Sequence, residues 1–184
     1  MKCLIYILFV LISPIVKSSW TLEKVSGAVR CKEHSLYLGK PLPEKCELKV
    51  SKSSGAVLKS DKGQEVYLGA LFEGEVGDNQ IIIQEGSLRV KTPESSFKIK
   101  NPLGELVVES GEAVALTSKM FTEFQVLNLS GKMQVHSEKE KVPLYEGSWA
   151  GIGGRFGVEI GDLFNLNDEQ RSFLMRDFLL DSPQ

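Results

Sequence analysis

The alternation of apolar and polar positions divides the chain into a leader, a long β region and a short C-terminal segment. An almost unbroken apolar run fills residues 4–12, and Ser13-Pro14 ends it. From Trp20 to about Ile160, apolar residues instead come in short runs, many of them alternating with polar residues and most of them bounded by Gly, Ser, Asn, Asp or Pro. Such runs are typical of β-strands. They predict an all-β region of short antiparallel strands, arranged as a twisted solenoid-like domain or a sandwich.

Glycines punctuate these runs in a loosely repeated way. The predicted strands lie at 25–29, 36–38, 46–50, 56–58, 66–68, 81–83, 88–90, 97–99, 106–108, 114–116, 124–129, 133–135 and 142–144. A glycine followed within two positions by an apolar residue recurs five times: Gly27 lies within the first of these runs, and Gly55, Gly86, Gly104 and Gly131 each precede one by one or two positions. We expect each of these glycines to occupy a turn, where a positive φ costs glycine little. The irregular spacing suits a stack of similar hairpins, although Gly followed by an apolar residue is common in any β protein.

The first 18 residues have the pattern of a secretory signal peptide. A short positive start precedes the apolar run, and Val16 and Ser18 supply residues suitable for the −3 and −1 positions of a cleavage site. The run is shorter than the ~20 residues that span a bilayer, and no second run like it occurs. We therefore expect an exported protein, periplasmic or secreted from a bacterium, without a transmembrane segment after cleavage.

Residues 161–184 change character and predict a helix over about 168–180 that follows the β domain of residues 19–160. Asn167 can cap the helix with Gln170 at its third position, and Asp181-Ser182-Pro183 ends it. The helix has one apolar face, made of Phe173, Leu174, Met175, Phe178, Leu179 and Leu180. A helix this short needs a surface to dock on. That surface is either the sheet of the same chain or a partner, and for the second case the candidate binding residues are Phe173, Leu174, Phe178 and Leu179.

Two cysteines remain after the leader, which contains Cys3, is removed. In an oxidising compartment, Cys31 and Cys46 are expected to form a disulfide, which would contribute about 3 kcal/mol by closing a loop of about 15 residues. A metal site or two free thiols are the alternatives. Only His34 lies nearby as a further ligand, whereas zinc usually takes four.

Charge and composition argue against several functions. The formal net charge is −2, and loss of Lys2 and Lys17 with the leader makes it −4. No basic stripe occurs, so nucleic acid is not an expected partner. The chain has only two histidines, His34 and His136, and neither a His-Glu-x-x-His nor a Gly-x-Ser-x-Gly motif. We predict no catalytic residue, no metal site and no cofactor.

Three further groups of residues have a composition that can indicate a binding or catalytic site. The glycine-rich stretch 151–157 misses the Gly-x-Gly-x-x-Gly spacing, and we interpret it as a flexible link. Glu105, Glu109 and Glu112 are interpreted as solvent-facing strand residues, although a glycosidase would need two such acids in one cleft. The charged cluster at Lys132 and 138–141 is interpreted as a solvated hairpin tip.

The order of these pieces resembles the FecR-like periplasmic domain. Five segments carry the resemblance. Trp-x4-Val-Ser-Gly-Ala-Val begins at Trp20, an Asp-Gly-type turn between apolar strands lies at 54–66, and a Gly-x-apolar…Thr-Pro segment lies at 86–93. The elements at 126–135 and 142–150 are similar to the family's closing Val-x-Val-x-x-Gly-x-Val-x-Val and Val-x-Leu-x-x-Gly-x-x-Ala patterns. The resemblance covers about residues 20–152 and implies a twisted β domain that binds proteins in the bacterial envelope.

The chain also departs from the family pattern. Where the family has Val-x-Gly-Thr-x-Phe, residues 108–114 place Glu112 and Val114 at the Thr and Phe positions. The best-known members are sigma-factor regulators with a cytoplasmic helical domain and a membrane helix ahead of this domain. Here we expect the segment before the β region to be a cleavable leader. We expect a stand-alone exported domain rather than a transmembrane signalling protein.

These observations predict a non-enzymatic binding or scaffold domain that acts on a protein or polymer of the envelope. Two other functions remain open. One is an envelope hydrolase of the carbohydrate-active type, and the other is a self-associating structural envelope protein. The sequence leaves the identity of the partner and the oligomeric state open.

Overall fold

The computed structural model describes residues 20–32, 34–43, 46–93, 95–120, 122–154, 157, 159–161 and 164–175, so the predicted leader lies outside the described residues. Within these ranges the chain forms thirteen strands and one helix. The strands are β1 (Trp20–Ser26), β2 (Val29–Cys31), β3 (Glu47–Val50), β4 (Gly55–Ser60), β5 (Glu65–Leu68), β6 (Glu73–Gly77), β7 (Gln80–Thr92), β8 (Phe97–Asn101), β9 (Gly104–Ser118), β10 (Glu123–His136), β11 (Lys141–Leu144), β12 (Ser148–Gly153) and β13 (Phe164–Asn165), and the helix is α1 (Asp168–Met175). The prediction of an all-β fold is confirmed. None of the described helical residues forms a span long and apolar enough to cross a membrane.

All thirteen strands belong to one sheet, which folds over on itself into two layers. Pairing is antiparallel throughout, except that β7 and β8 run parallel. We call β1-β4-β5-β7-β9-β10-β12-β13 the front layer and β2-β3-β6-β7-β8-β9-β10-β11 the back layer. β7, β9 and β10 are long enough to contribute one half to each layer: residues 86–92 of β7 pair in the front and residues 80–85 in the back. The two layers meet where Trp20 packs edge-on against Phe97, with ring centroids 5.7 Å apart.

The long strands pass between layers at glycines. Gly86, Gly111 and Gly131 have φ of 89°, 101° and 92° and lie inside β7, β9 and β10. Gly111 and Gly131 are direct cross-strand partners, and a Cβ on either would overlap a backbone carbonyl of the other strand. Register shifts on both sides of Gly131 mark bulges, which bend a strand. Gly86 and Gly131 therefore do have the positive φ expected of them, but they bend continuous strands where the sequence predicts turns between short ones.

Three parts of the chain differ from the predicted elements. Residues 36–38 are not a strand; the segment that follows runs beside β1, where Gly39 N donates to Leu22 O at 2.8 Å. β6 was not predicted, because its Glu-Gly-Glu-Val-Gly sequence lacks an apolar run. The flexible link predicted at 151–157 is wrong for its first half. Residues 151–153 belong to β12, which pairs with β10 on one side and with β13 on the other, and Ile152 forms a further bridge with Ile160.

One hydrophobic core lies between the layers. Alternate residues of each strand point into it, as period-2 strands require. Its largest fully buried side chains are Phe72, Phe97, Phe124, Leu48, Leu58, Leu68, Ile81, Ile83, Leu88, Ile99 and Leu106. Because β7, β9 and β10 run through both layers, the core is continuous from one end of the sheet to the other.

The predicted disulfide is present. Cys31, at the end of β2, is joined to Cys46, just before β3, with 5.4 Å between their Cα atoms. Both side chains are buried in the core. The bridge closes the 31–46 loop at the base of the β2–β3 pair.

The C-terminal segment begins its helix as predicted. Asn167 Oδ1 accepts from Gln170 N at 2.9 Å, and Gln170 Oε1 accepts from Asn167 N at 3.0 Å. This reciprocal pair is a capping box. α1 is described to Met175, so the predicted continuation to about residue 180 lies outside the described residues.

Candidate interaction face

The outer face of the front layer carries an apolar cluster that is separate from the core. Six residues lie directly opposite one another on successive strands and form what we call the front-face row: Val57, Tyr67, Arg89, Val114, Leu127 and Trp149. Val114 and Leu127 have no exposed surface, although they point away from the core. Leu116, Leu129 and Leu166 pack against them from the neighbouring positions. An apolar row on the outside of a sandwich needs explanation, since outward positions are normally polar.

Arg89 holds the middle of the row in a fixed geometry. Its Nε donates to Glu112 Oε1, and its Cζ lies 5.0 Å from the centroid of the Tyr67 ring. Tyr67 in turn donates its hydroxyl to Glu65 Oε2 at 2.9 Å. The Arg89 and Glu112 side chains are 20% and 19% exposed, so this ion pair is far better shielded than an ordinary surface pair. The row thus combines half-buried aromatic and guanidinium side chains, and Arg89 and Tyr67 are held in defined positions.

Two shallow cavities flank the front-face row. The Gly86 cavity, about 350 Å³, lies on the Leu116 side of the row; it is lined by Ala70, Leu71, Glu85, Gly86, Ser87, Leu116, Thr117, Ser118, Glu123 and Gln125. The Gly111 cavity, about 410 Å³, lies on the Glu112 side; it is lined by Gly63, Glu65, Lys91, Thr92, Pro93, Gly111, Glu112 and Ser130. Both cavities form beside glycines that bend the long strands.

The outer face of the back layer is charged instead. One of its cross-strand rows contains Glu75, Ile82, Lys100, Glu105, His136 and Lys141. Ion pairs cross the same face: Lys98 to Glu105 at 3.1 Å, and Glu73 to Lys49 and Lys119, each at 2.7 Å. Such a surface suits solvent, in contrast to the apolar row on the outer face of the front layer.

The shifted pKa values on the back layer have structural causes. Hydrogen bonds from Lys119 and then Lys49 hold the pKa of Glu73 below its usual value. Burial, followed by the charge of Lys141, lowers the pKa of His136, and Glu105 opposes this with Nδ1 3.5 Å from Oε1. Each shift arises from burial or an ion-pair network, and none of these groups lines either cavity described above.

The acidic residues considered for catalysis are separated by the fold. Glu105 lies on the back layer beside Lys98, and Glu112 lies on the front layer bound to Arg89. Glu109, between them, pairs with Lys132 at 2.7 Å. These carboxylates therefore do not face one another across a cleft. Among the described residues, no group of three or more His, Cys, Asp or Glu side chains could hold a metal ion.

The charged cluster differs from the predicted hairpin tip. Lys132 lies within β10, where it is bound to Glu109, so only residues 137–140 form the turn. Lys139 at that turn pairs with Glu159 at 2.9 Å. His34 lies next to the disulfide, where its backbone N donates to Cys31 O at 3.3 Å.

The predicted helix-face residues fall at the C-terminal end of the chain. The backbone of Phe173 and Leu174 lies in α1, but their side chains are not among the described ones, and Phe178 and Leu179 lie outside the described residues. Leu166, just before the helix, packs against Val114 and Leu127 of the front-face row. The front-face row itself was not predicted, because the sequence does not show which residues lie opposite one another.

Comparison with known proteins supports the fold and little beyond it. No family model matches this chain, and no curated protein matches its sequence. Two crystal structures of a "putative anti-sigma factor" from Parabacteroides distasonis ATCC 8503 are similar in structure. The 2.50 Å structure aligns with a TM-score of 0.60 at 15% identity over 68% of this chain and 62% of its own. The 1.65 Å structure aligns with a TM-score of 0.61 at 14% identity over 70% and 64%. This chain thus spans less than two thirds of the proteins that it resembles.

Proposed function

We propose that this chain is an exported, non-enzymatic binding domain that docks a protein of the bacterial envelope on its front layer. The observation that carries the proposal is the front-face row, an apolar and aromatic cluster on the outside of a sandwich whose other outer face is charged. The likeness in fold to structures described as anti-sigma factors agrees with a regulatory or binding role.

The composition of the row suits a protein partner. Tryptophan, tyrosine and arginine are the residues that dominate binding energy at protein interfaces. Trp149, Tyr67 and Arg89 provide one of each. Because Arg89 is already fixed by Glu112 and Tyr67, little side-chain freedom is lost when a partner binds.

The test is crosslinking and capture from the intact envelope, followed by mass spectrometry. Two variants of the same strand distinguish the faces. Leu116→Glu puts a charge beside the front-face row, and Val107→Glu puts the same charge on the outer face of the back layer, where Val107 is also half-buried. We expect the wild type and Val107→Glu to capture one dominant protein and Leu116→Glu to lose it. Capture by both variants, with both folded, would reject the front layer as the docking surface.

The other outcomes identify the competing functions. Recovery of the chain alone, with a mass that depends on its own concentration in light scattering, would favour a self-associating structural protein. Recovery of wall fragments that the pure protein then cleaves would favour an envelope hydrolase.

Export is the second part of the proposal and has its own test. The leader pattern of residues 1–18 supports it. We expect the protein to be recovered from the periplasm or the medium with Ser19 as its first residue. A cytoplasmic protein that retains Met1 would contradict export without bearing on the front-face row.

A further inference from the structure

The Gly86 cavity has a chemistry different from that of the row that it borders. Its floor and rim bring together the end of β9, the start of β10 and the middle of β7. Leu71, at the rim, is 53% exposed. Leu116 lines the cavity and also packs against Val114 and Leu127 of the front-face row. A side chain that crosses the row can therefore enter the cavity along an apolar edge.

The charged groups that line the cavity are all carboxylates, and no Lys, Arg or His belongs to the lining. Glu85 and Glu123 contribute carboxylates, and Glu123 Oε2 receives one hydrogen bond from the Gln125 amide, at 2.8 Å. The one basic group bound to these acids in the described structure is Lys119, 3.3 Å from Glu85 Oε2, and it lies outside the lining and is about half exposed. The Glu123 carboxylate therefore keeps most of its capacity to accept hydrogen bonds.

Ser87 provides a second, independent observation. It lines the cavity, is only 8% exposed, and its hydroxyl makes no hydrogen bond with any residue that the structure describes. Among the described residues, Asn128 Oδ1 is the one fully buried side-chain oxygen or nitrogen without a partner, so the Ser87 hydroxyl is open to the cavity and not sealed inside the core. A ligand group with several N–H donors would satisfy Ser87 and the carboxylates together, whereas an anion would be repelled.

We propose that the Gly86 cavity is a subsite for an arginine side chain of the protein that docks on the front layer. The guanidinium would donate to Glu123, Glu85 and Ser87, and its aliphatic stem would lie against Leu71 and Leu116. Arginine fits better than lysine, because its planar fork can donate to several acceptors at once. The inference rests on the proposed function and adds the chemistry of the partner: an apolar segment with an arginine beside it.

The test uses a small probe, so that it does not depend on finding the partner. The mature protein is titrated with argininamide and its amide NMR signals are followed; citrullinamide, which has the same shape without the charge, is the control ligand. We expect saturable shifts centred on Gly86, Ser87 and Leu116 with argininamide and none with citrullinamide. Glu123→Gln should weaken the binding roughly tenfold, since it removes a charged hydrogen-bond acceptor.

A matched variant excludes a general effect of charge. Glu75→Gln removes an exposed carboxylate from the back layer and should leave the affinity for argininamide unchanged. Equal shifts with both ligands, no saturable shifts, or unchanged binding by a folded Glu123→Gln variant would overturn the subsite. Failure here with a partner still captured through the front layer would reject only the subsite, whereas capture of no partner would reject the proposed function itself.

Discussion

Gly111 and Gly131 show how much of the architecture depends on single residues. They face each other on β9 and β10 at the point where both strands pass from one layer to the other. Gly111→Ala adds a Cβ that overlaps the Ser130 carbonyl and also forces alanine to a φ of 101°. A left-handed backbone alone costs a residue with a Cβ about 1–2 kcal/mol, and overpacking adds about 1–3 kcal/mol.

Gly39→Ala is the matched control for this prediction. Gly39 has a φ of 69°, but no atom lies within 4 Å of its added Cβ. In denaturant unfolding, Gly111→Ala should therefore lose about 1–3 kcal/mol more than Gly39→Ala. Equal losses would mean that the close approach of the two strands is not required.

Arg89 and Glu112 give a second prediction at the scale of the residue. Their shielded pair should show a coupling free energy of about 1 kcal/mol in a double-mutant cycle of Arg89→Met and Glu112→Gln, measured by denaturant unfolding. The exposed pair of Lys139 and Glu159, whose side chains are 57% and 67% exposed, should give a coupling of about 0–0.5 kcal/mol in the same kind of cycle. The same coupling for both pairs would contradict the role of burial.

At the scale of the element, the disulfide secures the short β2–β3 pair. Cys31→Ser together with Cys46→Ser should lower the free energy of unfolding by about 3 kcal/mol, because the 15-residue separation no longer restricts the unfolded chain. Thiol titration of the denatured, unreduced mature protein, which lacks Cys3, should find no free thiol. Two titratable thiols would show that the bridge does not form in the native protein.

Glu73 connects three elements and makes their association sensitive to acid. Its carboxylate on β6 binds Lys49 on β3 and Lys119 just beyond β9. Because these lysines lower its pKa, Glu73 adds stability above its ordinary pKa of 4.5, and this stability is lost as pH falls through the lowered value. Glu73→Gln should be less stable than the wild type at neutral pH, and the difference should shrink below about pH 4.5. A difference independent of pH would contradict this cause.

The sequence predicts an element correctly where the residues that form it are close together along the chain. Most strand centres, the cap at Asn167 and the pairing of Cys31 with Cys46 follow from the residues themselves. β6 and β12 were missed because glycines replace the apolar side chains that mark a strand. The continuity of β7, β9 and β10 was missed for a related reason: a glycine within a strand has the same sequence signature as a glycine in a turn.

At the scale of the whole molecule, the candidate interaction face depends on register, which the sequence does not contain. Alternation predicts that Val114 and Leu127 point to one side of their strands, but not that they lie opposite each other or opposite Arg89 and Trp149. The bulges of β10 shift that register further. The Gly86 cavity depends likewise on strands that are distant in the sequence.

The crossing of β7, β9 and β10 between layers predicts that the two layers unfold together. β7, β9 and β10 each run through both layers, so unfolding one layer disrupts three strands that the other layer shares. The buried residues also form one core between the layers. The two tryptophans report on different places, since Trp20 packs between the layers and Trp149 lies on the outer front face. In a Trp149→Phe variant, the tryptophan fluorescence comes from Trp20 alone. We expect this fluorescence and the far-ultraviolet circular dichroism of the variant to change at the same denaturant concentration. A front layer that unfolds first would separate the two transitions, and the shared strands would then be hinges between two units rather than the connection that makes them one.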